Sequence, residues 1–161
     1  FNTLNTTIMA IKNFRAHKKQ PKKNPGEAIL VSDFMTKKLI TFKQDQSVLE
    51  VMDQLIKNRI SGGPVVNDQG ELVGIISEGD CIKQISESRY FNMPMTDTKV
   101  ENHMVKNVDV IDGNMNIYDA ANKFLQSKRR RFPIVKNGKL IGQISQKDVL
   151  IAALKHKGNN W

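Results

Sequence analysis

An internal repeat constrains this chain more than any other feature, because a pattern that occurs twice in one register is expected to fold twice in the same way. Met35 and Met104, and likewise Pro64 and Pro133, stand 69 residues apart. Between these anchors the copies run without a gap: Thr41 faces Val110, and Ser47-Val48-Leu49-Glu50 faces Asn116-Ile117-Tyr118-Asp119. A one-residue deletion in the following turn changes the offset to 68. Beyond it Leu72-Val73-Gly74-Ile75-Ile76-Ser77 faces Leu140-Ile141-Gly142-Gln143-Ile144-Ser145, and Asp80 faces Asp148.

Each copy reads as strand, helix, strand, strand, helix. Leu39–Phe42 is short, β-rich and partly alternating, the pattern of a strand. Ser47 opens a helix, with Glu50 as the second half of a capping box. Val48, Val51, Met52, Leu55 and Ile56 follow at helical spacing, and Ile117, Ala120, Ala121, Phe124 and Leu125 repeat that face. Pro64–Val66 and Glu71–Ser77 flank the turn Asn67-Asp68-Gln69-Gly70 and read as a hairpin. A last helix is expected to start near Ser77 and, in the second copy, near Ser145. Neither unit alone is large enough to bury its helix and strand faces well. The expectation is therefore an α+β fold, two β-α-β-β-α units packed face to face as a pseudo-twofold pair. The units span 28–88 and 100–156, with a linker at 89–99 where Pro94 interrupts both periods. A basic arm at 1–27 precedes them and a tail at 157–161 follows. In the arm, Leu4, Ile8, Ile11 and Phe14 have the spacing of a short amphipathic helix, docked or disordered, while Lys18–Pro25 reads as extended.

Composition removes most function classes. No apolar run approaches the roughly 18 residues of a membrane helix, and the N-terminus has no continuous apolar stretch of signal-peptide type. Cys81 is the single cysteine of 161 residues. That excludes an internal disulfide and suits a reducing, cytoplasmic location. His17, His103 and His156 have no partners at metal-ligand spacing, and none neighbours a candidate nucleophile. The seven methionines are scattered as core fillers. No catalytic residue, metal site or catalytic cofactor is expected, and Cys81 reads as a small buried hydrophobe.

The formal net charge of +9 invites a nucleic-acid or anionic-ligand reading, and its placement separates the two. Residues 1–27 hold six basic side chains (Lys12, Arg15, Lys18, Lys19, Lys22 and Lys23) against Glu27 alone. The rest of the chain is only mildly basic, with its densest run at Lys128–Arg131.

The repeated order of motifs resembles the cystathionine-β-synthase (CBS) domain. The first copy carries Asp33-Phe34-Met35-Thr36, Gly63-Pro64-Val65-Val66 and Gly74-Ile75-Ile76-Ser77-Glu78-Gly79-Asp80. The second carries Asn102-His103-Met104-Val105, Phe132-Pro133-Ile134-Val135 and Gly142-Gln143-Ile144-Ser145-Gln146-Lys147-Asp148. Together they resemble a tandem CBS pair, the Bateman module, over about residues 28–155. Ile60–Val66 is similar to the CBS insert of inosine monophosphate dehydrogenase, and Arg130–Ile134 to the regulatory subunit of AMP-activated kinase. No catalytic domain of either enzyme is present. The resemblance implies a free-standing, non-catalytic regulatory module. Its ligand would be an adenine nucleotide or related adenosyl compound, AMP first among them. It also implies a homodimer of four repeats and a regulated partner protein whose identity stays open.

By that resemblance each ligand lies between the repeats and draws on both. One site would combine Ile75, Ser77 and Asp80 with Val108, Asp109, Val110, Arg130, Arg131 and Pro133. The other would combine Gln143, Ser145, Lys147 and Asp148 with Leu39, Ile40, Thr41, Ile60, Ser61 and Pro64. The chemistry suits these residue types. A carboxylate offers two acceptors to vicinal ribose hydroxyls, and a serine at a helix start stands beside free N–H groups that favour phosphate. Ser-x-x-Asp before a helix is equally a capping arrangement, and the two roles coexist. The small residues before Pro64 would let a flat base approach the backbone closely. Arg130 and Arg131 can fork onto phosphate oxygens, whereas their counterparts Ser61 and Gly62 bring no charge, so the Asp80/Arg131 site is expected to be the tighter one. Arg129 stands where the first copy has Ile60, and Lys128–Arg131 also has the character of a solvated helix end. Two other readings compete. One is a nucleic-acid-associated protein using the basic arm, and the other is a ligand-free interaction scaffold.

Overall fold

The structure, a computed structural model, describes residues 28–92 and 98–156. The basic arm, the surroundings of Pro94 and the C-terminal tail lie outside the described residues.

In the first repeat, helix α1 (Val48–Asn58) is followed by strands β1 (Gly62–Val66) and β2 (Leu72–Ser77) and helix α2 (Glu78–Tyr90). The second repeat has β3 (Ile111–Asp112), α3 (Ile117–Ser127), β4 (Arg131–Lys136), β5 (Lys139–Ser145) and α4 (Gln146–His156). Both hairpins are antiparallel, with Pro64 opposite Ile75 and Pro133 opposite Gln143. Each is bulged at the equivalent step, Val65/Val66 and Ile134/Val135.

The helices begin where a side-chain oxygen meets an orphan N–H. Ser47 accepts from the Glu50 N–H and Asn116 from the Tyr118 N–H. At the first of these the Ser47 half of the expected box is made. Both helices end on a residue in the left-handed region, Arg59 and Lys128. Their inner faces bury Val48, Val51 and Leu55, and Ile117, Ala120 and Phe124. The expected apolar stripe is too wide by one position in each copy. Ile56 and Leu125 are 77% and 81% exposed, because the eighth step of the pattern has rotated off the core.

Two further departures concern strands and boundaries. The first strand of the second repeat is β3, parallel to β4. Its counterpart at Leu39–Phe42 shrinks to a single parallel bridge from Phe42 to Val65. The chain turns immediately afterwards, with the Lys43 N–H donating to Gln46 Oε1 at 2.7 Å, so pairing stops at Phe42. The linker assigned from Arg89 is shorter on its near side, since α2 continues to Tyr90.

The two cores exchange their leading segments. Ile29 and Val31 are buried with Ile111, Ile117, Phe124, Phe132, Ile134 and Ile144 of the second repeat. Val100 and Met104 are buried with Phe42, Val48, Val51, Val65 and Ile76 of the first. The hydrogen bonds follow the same exchange. The Val31 N–H donates to Met115 O at 2.9 Å, and the Val100 N–H to Gln46 O at 2.9 Å. Thr36 and Gln143 bond reciprocally at 2.8 and 2.9 Å, as do Ile75 and Val105 at 2.9 and 2.8 Å. The sequence repeats are thus contiguous, while each packed core is completed by the opposite copy. At the pseudo-twofold axis the hairpin turns meet. The Leu72 N–H donates to Gly138 O at 3.3 Å and the Leu140 N–H to Gly70 O at 3.1 Å.

Candidate functional site

A cleft of about 310 Å³ opens between the two hairpins. The first repeat lines it with Ser61, Gly62, Gly63, Pro64, Ile75 and Ser77. The second contributes Arg129, Arg130, Arg131, Pro133 and Gln143. Three guanidinium groups line this cleft and no carboxylate does, so its field strongly favours an anion. Arg131 begins β4 and the arginines before it follow the left-handed turn at Lys128. The run therefore leaves the helix and enters the strand that faces the first repeat.

This cleft gathers halves of both expected sites. Ile75, Ser77, Arg130, Arg131 and Pro133 come from the first expected set, and Ser61, Pro64 and Gln143 from the second. Ile60 lies next door, in a hollow of about 540 Å³ that it shares with Leu55, Ile56, Arg59, Ser61, Glu78 and Arg131. Leu39, Ile40 and Thr41 run beside the Phe42 bridge, outside the cleft lining, as do Val108 and Val110. Asp109 is also outside this lining, and its carboxylate meets Lys123 Nζ at 2.7 Å and Arg129 Nε at 3.9 Å. Ser145 and Asp148 stand at the start of α4 with Lys147 exposed beside them.

The Ser-x-x-Asp pairs close the starts of α2 and α4 in matching geometry. Asp80 Oδ2 accepts from the Ser77 N–H and hydroxyl, both at 2.8 Å, while Ser77 Oγ accepts from the Asp80 N–H at 3.4 Å. Asp148 and Ser145 repeat this at 2.8, 2.8 and 3.3 Å. The capping role is therefore real in both copies. It uses one carboxylate oxygen and leaves Oδ1 unengaged among the described residues. The first N–H of each helix is spent as well: Glu78 donates to Ser61 O at 2.9 Å and Gln146 to Arg130 O at 3.1 Å. The helix starts thus offer fewer open donors than sequence alone suggests.

Gly62 and Gly63 answer first to internal packing. A Cβ on Gly63 would lie 2.8 Å from the Phe42 ring and one on Gly62 2.8 Å from Ile76 O. Their smallness seats β1 against its neighbours, and it also exposes backbone along the cleft wall. They are the small residues before Pro64 through which a flat base is expected to approach, although neither glycine is among the expected contact residues. Behind the wall, Cys81 is buried. Burial pushes its thiol pKa up, and the neighbouring Asp80 and Glu78 carboxylates add to the shift. It is a packed thiol, held away from nucleophilic chemistry.

Two interlocked α+β repeats with a cationic cleft at their junction define a tandem-repeat module. The chain belongs to the CBS-domain family, whose model matches residues 31–87 and 100–155. It is 32% identical over 158 residues to the uncharacterized protein MJ1426 of Methanocaldococcus jannaschii, covering 80% of this chain and 94% of that one. Other relatives are longer: the chain spans 44% of MJ1225 from the same organism and 65% of the chloroplastic CBSX1 of Arabidopsis thaliana. Among solved structures, CBSX2 in complex with AMP superposes with a TM-score of 0.69 at 32% identity, covering 80% of this chain and 98% of that chain. The CBS pair of MJ0100 in complex with 5′-methylthioadenosine and S-adenosyl-L-methionine gives a TM-score of 0.63 at 25% identity, covering 83% and 100%.

Proposed function

We propose that this protein is a ligand-sensing regulatory module that binds an adenine nucleotide, AMP first among the candidates, between its two repeats and transmits the resulting change in their arrangement to a partner protein. The observation that carries this reading is the convergence of Arg129, Arg130 and Arg131 with Ser77 and Ile75 on one cleft that no carboxylate lines. Guanidinium groups in that setting recognise phosphate, and Ile75 with the flanking prolines supplies apolar surface for a base. Relatives solved with AMP, and with adenosyl ligands lacking phosphate, support the ligand class.

A ligand held by both repeats alters their mutual arrangement only through unequal affinity for two arrangements. The reciprocal bonds Thr36–Gln143 and Ile75–Val105 are the contacts through which such a shift would travel. A homodimer would cover Ile82 of α2 and its repeat counterpart Leu150 of α4, which are 65% and 64% exposed.

Isothermal titration of the full chain with AMP tests the proposal. Saturable binding is expected, weakened about tenfold to a hundredfold in Arg131→Ala, the range for loss of charge-assisted hydrogen bonds. Absence of binding to the unaltered protein at millimolar AMP overturns it.

A further inference from the structure

The two repeats differ at two pairs of equivalent positions in a way that bears on ligand charge. With the offset of 69, Ile40 corresponds to Asp109 and Ile60 to Arg129. Two isoleucines in one copy are thus replaced by two opposite charges in the other. The charges meet: Asp109 Oδ2 is 3.9 Å from Arg129 Nε. The carboxylate's other oxygen is 2.7 Å from Lys123 Nζ. Lys123 is itself fixed on α3, donating to Val110 O at 3.1 Å and lying 5.4 Å from the Phe132 ring centroid. Asp109 is therefore anchored on one side and reaches toward the cleft with the other.

The three cleft arginines are consequently unequal. Arg130 and Arg131 have no carboxylate partner among the described residues, whereas Arg129 shares Asp109. Two guanidiniums outside any ion pair among the described residues, with Glu78 sharing only the neighbouring hollow with Arg131, match a phosphomonoester, which carries close to two negative charges at neutral pH. Arg129 lines the same cleft, but the carboxylate beside its Nε offsets part of the charge that it offers to a second or third phosphate. We propose that Asp109 is a specificity-determining residue, which by pairing with Arg129 lowers the positive charge of the cleft and biases it toward nucleoside monophosphates over triphosphates. The inference rests on the nucleotide-binding reading above and assigns Asp109 a role in ligand choice through another residue, without direct ligand contact. Because both partners are about half exposed, with 50% and 40% of their side-chain surface accessible, the bias is small: about threefold to fivefold.

Titration of the full chain with AMP and with ATP, both without divalent cation and at low fixed salt, tests this. Asp109→Asn is expected to raise ATP affinity about threefold to fivefold and AMP affinity about twofold or less. In Asp109→Asn/Arg129→Gln that gain in the ATP-to-AMP ratio should vanish. Lys123→Gln provides a readout that a merely structural role would not produce. It leaves Asp109 to Arg129 alone, so the ratio should fall below that of the unaltered protein. If Asp109→Asn proves unstable in a thermal melt, the Lys123→Gln ratio decides. An unchanged ratio in the folded single variants, or a gain that persists without Arg129, overturns the role of Asp109 while leaving nucleotide binding intact. Failure of the unaltered protein to bind either nucleotide overturns the functional reading itself.

Discussion

Gly142 and Met35 belong to different repeats and stand so close that a Cβ on the glycine would lie 2.7 Å from the methionine sulfur and 2.9 Å from Thr36 O. The same relationship joins Gly74 to Met104, at 2.6 Å from the sulfur and 3.0 Å from Val105 O. The motif glycine of one copy is thus the seat for the motif methionine of the other. A flexible methionine can yield, but the backbone carbonyls belong to the bridges that tie the repeats together. Gly142→Ala and Gly74→Ala are each expected to lose about 1–3 kcal/mol, the range for overpacking. Met35→Ala added to Gly142→Ala should recover only part of that loss, since Thr36 O remains in the way. Urea denaturation of the single and double variants reads both values.

The repeat, the helices and hairpin of each copy and both capping pairs were legible in the sequence because each depends on spacing within one copy. The pairing of Gly142 with Met35 was not, since periodicity says nothing about which copy a segment packs on. The width of the helix faces was overread at Ile56 and Leu125, where a strip of apolar residues outruns the surface available to cover it. Of the residues lining the cleft, Ile75, Ser77, Arg130 and Arg131 were singled out by the motif order, whereas Arg129 read as part of a solvated helix end. Asp109 stood in the same expected set as a ligand contact, but its pairing with Lys123 and Arg129 was not legible. Its partner Lys123 is 14 residues away on a helix face that carried no motif.

The matched caps predict separable effects on folding and binding. Asp80→Ala and Asp148→Ala each remove an acceptor for a serine N–H and hydroxyl, so both should cost about 1 kcal/mol of stability. Their effects on ligand should differ. Asp80 follows Ser77, which lines the arginine cleft, whereas Ser145 is absent from that lining. AMP affinity is therefore expected to fall several-fold more in Asp80→Ala than in Asp148→Ala by calorimetry. Equal losses would remove the ranking of the two sites.

Cys81 supplies a prediction about pH. Its pKa is raised in the folded chain, chiefly by burial and then by Asp80 and Glu78. The folded state therefore holds the thiol proton to higher pH than the unfolded state. The associated stability is fully present below the ordinary thiol pKa and is lost as pH rises through the raised value. Melting temperature should fall more steeply in that alkaline range for the unaltered protein than for Cys81→Ala. Labelling of native protein by a thiol reagent at pH 8 should be slow and should accelerate on addition of denaturant.

The exchange of leading segments predicts that the repeats do not fold independently. Cutting the chain after residue 92 leaves the first fragment without Val100 and Met104, both nearly inaccessible in its core. It leaves the second without Ile29 and Val31, which close the space beside Ile117 and Ile134. Each fragment would carry an unfilled cavity and an unpaired strand edge at Ile75 or Gln143. Residues 1–92 and 93–161, expressed separately, should therefore each lack a cooperative thermal transition by circular dichroism. Mixed at equal concentration they should regain one, with a midpoint that rises with concentration because folding and association are then linked. A cooperative melt of either fragment alone at the temperature of the intact chain would show that the exchanged segments are dispensable. Val31→Ala in the intact chain provides an independent measure. Deleting two buried methyl groups at a fully inaccessible site should cost about 1–3 kcal/mol, and the loss should appear as one cooperative transition for both repeats together.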